Sequence, residues 1–248
     1  MNTSIWFVNN FDYFEIQCLR VPIQEVINCC HRYQSWANWT NYDKIDYSFE
    51  NIQRILDERV TPLDATIYGF TPKKYPNISI FLNPLSGGLA VPAFFSYKTG
   101  NELFRIRCVT PNYDCSTGSY IQEFHVEKNN AVVRLVRVLE DGRMTFYEDG
   151  VPLPFENLSY YKKRSIVDRL SMEIVLHYME CSGFPLCDEE LWLHNESVYV
   201  WHYSDSAPCS IATRKCSCPR GTRCSCSYSS GVVPPNNEEG SNNQTDDN

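Results

Sequence analysis

The chain has 248 residues, with 43% hydrophobic and 14% aromatic side chains and a formal net charge of −8. That composition excludes global disorder, and a body of roughly 200 residues buries about 70% of its unfolded surface. Residues 209–248 hold four bases and four acids, so residues 1–208 carry the whole excess of acid. An acidic body excludes broad nucleic-acid binding, which needs a basic footprint.

The first nineteen residues include Asp12 and Glu15 and no early base, so they do not read as a secretory signal. No apolar run approaches the roughly 18 residues of a membrane span. The expectation is a cytoplasmic protein that contacts no membrane.

Residues 4–19 alternate aromatic and polar side chains, which predicts two short strands on either side of Asn9 and Asn10. Pro22 opens a helix whose apolar positions Ile23, Val26, Ile27 and Cys30 recur at helical spacing. The aromatic stretch from Tyr33 to Tyr47 reads as an irregular connection. Ser48 caps a second helix carrying Phe49, Ile52, Ile55 and Leu56.

The middle of the chain predicts strands over 65–70, 78–83, 88–97, 102–109, 119–127, 132–139 and 144–148. Short turns such as Lys98-Thr99-Gly100-Asn101 and Glu140-Asp141-Gly142-Arg143 join several of them. Successive strands joined this tightly pair antiparallel, so residues 78–148 predict a meander of five or six strands. A long, mostly apolar helix is expected from about Asn157 to Cys181, stopped by Gly183 and Pro185. A last strand is expected over 197–203.

Large apolar residues nearly vanish beyond Asp205, and such a segment cannot offset its ordering entropy by burial. The predicted organisation is one α+β domain over residues 1–205 and a disordered, cysteine-containing tail over 206–248. The domain is expected to be an antiparallel β-meander packed by the long C-terminal helix and the two N-terminal helices.

Seven of the twelve cysteines are scattered through the body and read as small reduced core residues. Five lie in the tail, where Cys216 and Cys218 face Cys224 and Cys226 across a Pro-Arg-Gly turn. Four thiolates can hold tetrahedral zinc, but the C-x-C spacing is tighter than the usual C-x₂₋₄-C. Zinc is thus an alternative for the tail, against oxidation, acylation or a plain flexible segment, and no other cofactor is expected.

No metal-spaced histidine pair, nucleophile elbow or phosphate loop occurs. His125 falls where a solvent-facing strand residue is expected, and His177 reads as a core histidine on the long helix. Asp168 sits on that helix beside Arg164 and Arg169. A charge among apolar neighbours should be paired, so a salt bridge is weighed there against acid–base catalysis. Arg105, Arg107, Arg134 and Arg137 lie on neighbouring predicted strands, as a solvated face or an anion-binding patch. Trp36, Trp39, Tyr42 and Tyr47 crowd one connection, where they either lock it down or anchor a protein partner.

The leading expectation is a non-enzymatic interaction module that binds a basic protein, as a stoichiometric inhibitor or immunity-type protein would. The alternatives are an enzyme with a helix–sheet cleft around Asp168 and a thiolate metal or redox module in the tail.

Overall fold

The computed structural model describes residues 13–33, 41–57, 66–82, 90–110 and 120–202. Nine strands form one antiparallel sheet: β1 (Tyr13–Leu19), β2 (Tyr42–Asp46), β3 (Thr66–Phe70), β4 (Ser79–Leu82), β5 (Leu103–Val109), β6 (Ile121–Lys128), β7 (Ala131–Asp141), β8 (Arg143–Gly150) and β9 (Ser197–His202). Their order is β2-β9-β3-β4-β1-β5-β6-β7-β8. The helices are α1 (Ile23–Arg32), α2 (Phe49–Asp57), α3 (Ala90–Thr99), α4 (Met172–Cys181) and α5 (Glu189–Trp192). The fold is mixed α+β.

Both faces of the sheet are covered, and side-chain alternation sorts them. Phe14, Ile16 and Cys18 of β1, Phe104, Ile106 and Cys108 of β5, and Val136 and Val138 of β7 face one large core. It is closed by Ile52 of α2, by Val175, Leu176 and Met179 of α4, and by Trp192 of α5. On the opposite face, Leu19, Ile67, Phe81, Leu103 and Trp201 meet Val26 and Ile27 of α1 and Val91 and Phe95 of α3 in a smaller core. Gly69 has no side chain here for a reason: a Cβ would come within 2.8 Å of the Phe81 ring and 2.9 Å of Trp201.

Several expectations need correction. The segment expected as a strand over 88–97 contains α3. Val91, Pro92, Phe95 and Ser96 are its buried positions, which is a helical period despite the aromatic content. Pro92 falls in the first turn, where a missing N–H costs nothing. Gly100, at φ 71°, lets the chain leave the helix.

The meander is therefore shorter than expected, running only through β5, β6, β7 and β8, while β1 pairs with both β4 and β5 and so separates them. The connection before Tyr47 contains β2, an edge strand pairing with β9.

The long helix is also replaced. Residues 160–162 and 167–169 are separate 3₁₀ turns, and only Met172–Cys181 is α-helical. Lys163 (ψ 147°) and Leu170 (ψ 96°) have extended backbones that interrupt any continuous helix. The stop at Gly183 (φ 87°) falls where expected, with Phe184 N–H donating to Met179 O at 2.9 Å. Cys18, Cys29, Cys30 and Cys108 are buried free thiols, whereas Cys181 is exposed and Cys187 half-buried. His177 is exposed beside Cys181, not in the core.

The sheet's last hairpin is tied to the segment after it by a buried ion pair. The Arg134 guanidinium, 1% exposed, donates to both Glu156 oxygens, to Glu148 Oε2 at 2.8 Å, and to the carbonyls of Asp149 and Gly150. Glu156 also accepts from Tyr161 Oη at 2.7 Å and Leu153 N–H at 2.8 Å. Every strong group of this system is partnered, so it holds residues 150–161 against β7 and β8.

Removing one partner of such a pair strands the other in low dielectric. Arg134→Met should therefore cost about 3–5 kcal/mol in urea unfolding. Adding Glu156→Gln should recover part of the loss, because glutamine carries no charge yet keeps an acceptor for Tyr161 and Leu153. Equal stability of Arg134→Met and the parent would contradict this account.

Candidate functional site

Odd positions of β1, β5, β6 and β7 share the face that α1 and α3 partly cover. Two rows cross the strands there. In the first, Glu15, Arg107, Glu123, Arg137 and Tyr147 are successive register partners. In the second, Phe81, Gln17, Arg105, His125 and Leu135 are partners. Neighbours in a row lie about 4.5–5.5 Å apart at Cβ, close enough for direct contact.

Glu123 is the hub. Its carboxylate is fully buried and receives Arg107 Nη2 at 2.7 Å, Arg107 Nε at 3.2 Å and Arg105 Nη2 at 3.1 Å. Arg137 Nη1 lies 3.5 Å away. Burial alone would raise the Glu123 pKa, but Arg107 and then Arg105 outweigh it and hold it down at about 2.

His125 is 6% exposed, and burial, with Arg105 beside it, pushes its pKa down to about 4. Its tautomer follows from chemistry. Arg105 Nη2 lies 2.9 Å from Nδ1 and arginine only donates. Nδ1 is therefore the acceptor and the proton sits on Nε2. That N–H lies 3.3 Å from Glu127 Oε1 but is not aligned for a hydrogen bond. Burial raises the pKa values of Glu15 and Glu127.

Polar satisfaction is incomplete in the second row. Gln17 is 1% exposed and its amide makes no well-formed hydrogen bond, although it lies against the Glu15 carboxylate and lowers that group's pKa; Arg105 Nε and His125 Nε2 likewise make none. The other such buried atoms among the described residues, on Thr110, Gln122 and Ser182, stand outside the row.

The expected site residues fall in several places. Arg105, Arg107 and Arg137 converge on Glu123, whereas Arg134, at an even position, faces the other core. His125 is buried, not solvent-facing, because α3 packs over β1, β5 and β6. Asp168 stands exposed in a 3₁₀ turn, and among the described residues no arginine forms an ion pair with it. A shallow depression of about 270 Å³ is lined by Arg20, Gly100, Asn101, Glu102 and Lys128, without Asp168.

Tyr42 packs edge-on against Tyr199, beside Trp201, and Tyr47 donates to Trp192 O at 2.5 Å and packs on Phe70. Trp36, Trp39, Cys216, Cys218, Cys224 and Cys226 lie outside the described residues. Among the described residues no group of three or more histidine, cysteine or acidic side chains is placed to hold a metal, and no helix is long and apolar enough to cross a membrane. Sequence reasoning passed over Gln17, Glu15, Glu123 and Glu127. Their signal was a run of odd-position polar residues on β1, β5 and β6, with apolar even positions throughout β1 and β5 and at Phe124 and Val126 of β6.

The pKa values set the sign of an acid limb. A group depressed in the folded state contributes stability above its unfolded pKa and loses it as pH falls to the folded value. For His125 the loss runs from pH 6.5 to about 4, and for Glu123 from 4.5 to about 2. Glu15 and Glu127, raised by burial, act oppositely and favour the fold below pH 4.5. In urea unfolding across pH, His125→Asn should flatten the upper limb by about 3 kcal/mol. An unchanged limb in that variant would refute the assignment. No family model, curated protein or solved structure matches the chain.

Proposed function

We propose that this chain is a non-enzymatic protein-binding module that takes an extended, basic segment of its partner along the β8 edge. The observation that carries the reading is the edge itself. β8 has eight residues, pairs only with β7 and ends the sheet among the described residues. A strand in that position presents unpaired N–H and C=O groups to any chain that can add alongside.

The side chains around the edge select the partner. Glu140, Asp141, Glu148 and Asp149 are exposed there against the exposed base Arg143. Tyr147 is 48% and Val151 78% exposed, giving the surface an apolar component. The acids oppose pairing of two copies, so a partner of opposite sign is favoured. The body's net charge of −8 steers the same class of partner over longer range.

A stoichiometric inhibitor or immunity-type protein is the finer form of this reading. It needs a cognate basic protein held near 1:1 by the full chain. The tail cysteines could then add a metal or redox function without altering the edge.

The test uses a partner recovered from source-cell lysate and then purified. Its dissociation constant should rise at least about tenfold with Tyr147→Ala and again with Asp141→Lys, since an aromatic anchor is worth about 2 kcal/mol. Loss of binding in Trp36→Ala or Trp39→Ala, with Tyr147→Ala binding as well as the parent, would move the interface to the 34–40 connection. Binding unaffected by any of these changes would refute the proposal.

A further inference from the structure

We propose that the row formed by Gln17, Arg105 and His125 is a binding site for a small oxyanion, reached from the Arg107–Arg137 side of the sheet. This goes beyond the edge-binding reading and does not rest on it.

Three donors belong to the row. Arg105 Nε–H, His125 Nε2–H and the Gln17 amide NH₂ are buried without a well-formed hydrogen bond, with Glu127 Oε1 3.3 Å from His125 Nε2 and the Glu15 carboxylate beside Gln17. They come from three adjacent strands, with Gln17 opposite Arg105 and Arg105 opposite His125. Buried polar groups are nearly always hydrogen-bonded, and each one left unmade is costly. Four such atoms in one cross-strand row are therefore an arrangement for an acceptor. The amide oxygen of Gln17 adds a place for a ligand O–H.

Charge favours an anion. Arg105, Arg107 and Arg137 all lie within 3.5 Å of the Glu123 carboxylate, so one negative group faces three fixed positive ones. The remaining acids are Glu15 and Glu127, whose pKa values burial raises while Arg105 lowers both. Tyr13, at the end of β1, has its pKa raised chiefly by burial and so adds no negative charge at neutral pH. A ligand with one or two oxygens at the row would occupy the donors that lack a well-formed hydrogen bond.

Depth and access also agree. Side-chain exposure rises from 7% at His125 to 15% at Arg105, 28% at Arg107 and 32% at Arg137, while Gln17 is 1% exposed. The row is thus the closed end of a charged strip whose other end meets solvent. The apolar wall beside it is Phe81, the register partner of Gln17 on β4. A small anion suits this depth better than a group carried on a large partner.

The full chain would be melted in inorganic phosphate, sulfate or acetate, each against chloride at matched ionic strength. At about a hundredfold excess over its dissociation constant, a bound anion should raise Tm by about 5–10 °C. The ranking of the three would separate tetrahedral from planar ligands. Gln17→Leu should melt no lower than the parent without phosphate, because it removes a buried amide without a well-formed hydrogen bond, and should abolish the phosphate response.

In parallel, the His125 Nε2–H signal in ¹⁵N-histidine NMR should move on adding phosphate. The proposal fails if none of the three anions acts beyond chloride, which would leave ordered water as the row's partner. It also fails if Gln17→Leu responds like the parent, or if the His125 signal stays fixed. None of these outcomes depends on the β8 edge.

Discussion

Strand β1 is the constraint on which the remainder depends. It occupies the middle of the sheet, with β4 on one side and β5 on the other, and six of its seven residues are buried. Residues 13–19 thereby join segments sixty or more residues away, and each new pairing closes a long loop whose entropy must be offset. Phe14, Ile16 and Cys18 meet that cost by burial on one face. The other face of the strand carries Glu15 and Gln17, which cannot be buried without compensation. Arg105 and Arg107 on β5 partly offset the burial of Glu15, and Glu123 on β6 answers the arginines, whereas Gln17 stays without a well-formed hydrogen bond.

The two buried arginine systems illustrate how polar satisfaction separates support from a candidate site. Around Arg134, all donors and acceptors are used, and the contacts are local to one hairpin and the segment that follows it. Such a network specifies a single arrangement of the chain. Around Glu123 three arginines meet one carboxylate, and the neighbouring row keeps three donors without a well-formed hydrogen bond. A fold selected for stability alone would gain by replacing Gln17 with an apolar residue of similar size. Its presence beside Phe81, where the small core could be extended, fits a polar role for that side chain.

Much of the sheet was legible because alternation is a two-residue signal that survives in short windows. β3, β4, β5, β6, β7 and β8 lie close to their expected bounds, and α1 and α2 begin where Pro22 and Ser48 indicated. The failures have physical causes. In α3, Val91, Phe94 and Phe95 have strand-like propensities, and burial against α1 and the sheet overrode them. Around Tyr160 to Leu170, an amphipathic pattern gave way to extended backbone at Lys163 and Leu170. The Tyr161 hydroxyl there reaches Glu156 and Tyr178 in a tertiary network that no local pattern encodes. The polar rows were hidden for a related reason. Arg105, Arg107, Glu123 and His125 resemble a solvated face until α3 is known to pack over β1, β5 and β6.

The edge and the polar row meet at one side chain, yet their energetics are separable. Arg137 lies 3.5 Å from Glu123 and 5.9 Å from the centre of the Tyr147 ring. It is 32% exposed at the side chain, and an ion pair screened in this way contributes at most about 1 kcal/mol. A cation–π contact at an exposed ring is worth about 0.5–1 kcal/mol. Glu123 retains its shorter bonds to Arg105 and Arg107 when Tyr147 is altered, and these dominate its ionisation. Gln17, two strands further in, shares no partner with β8. A partner on the edge and an anion in the row would therefore bind nearly additively, as sites without common contacts do.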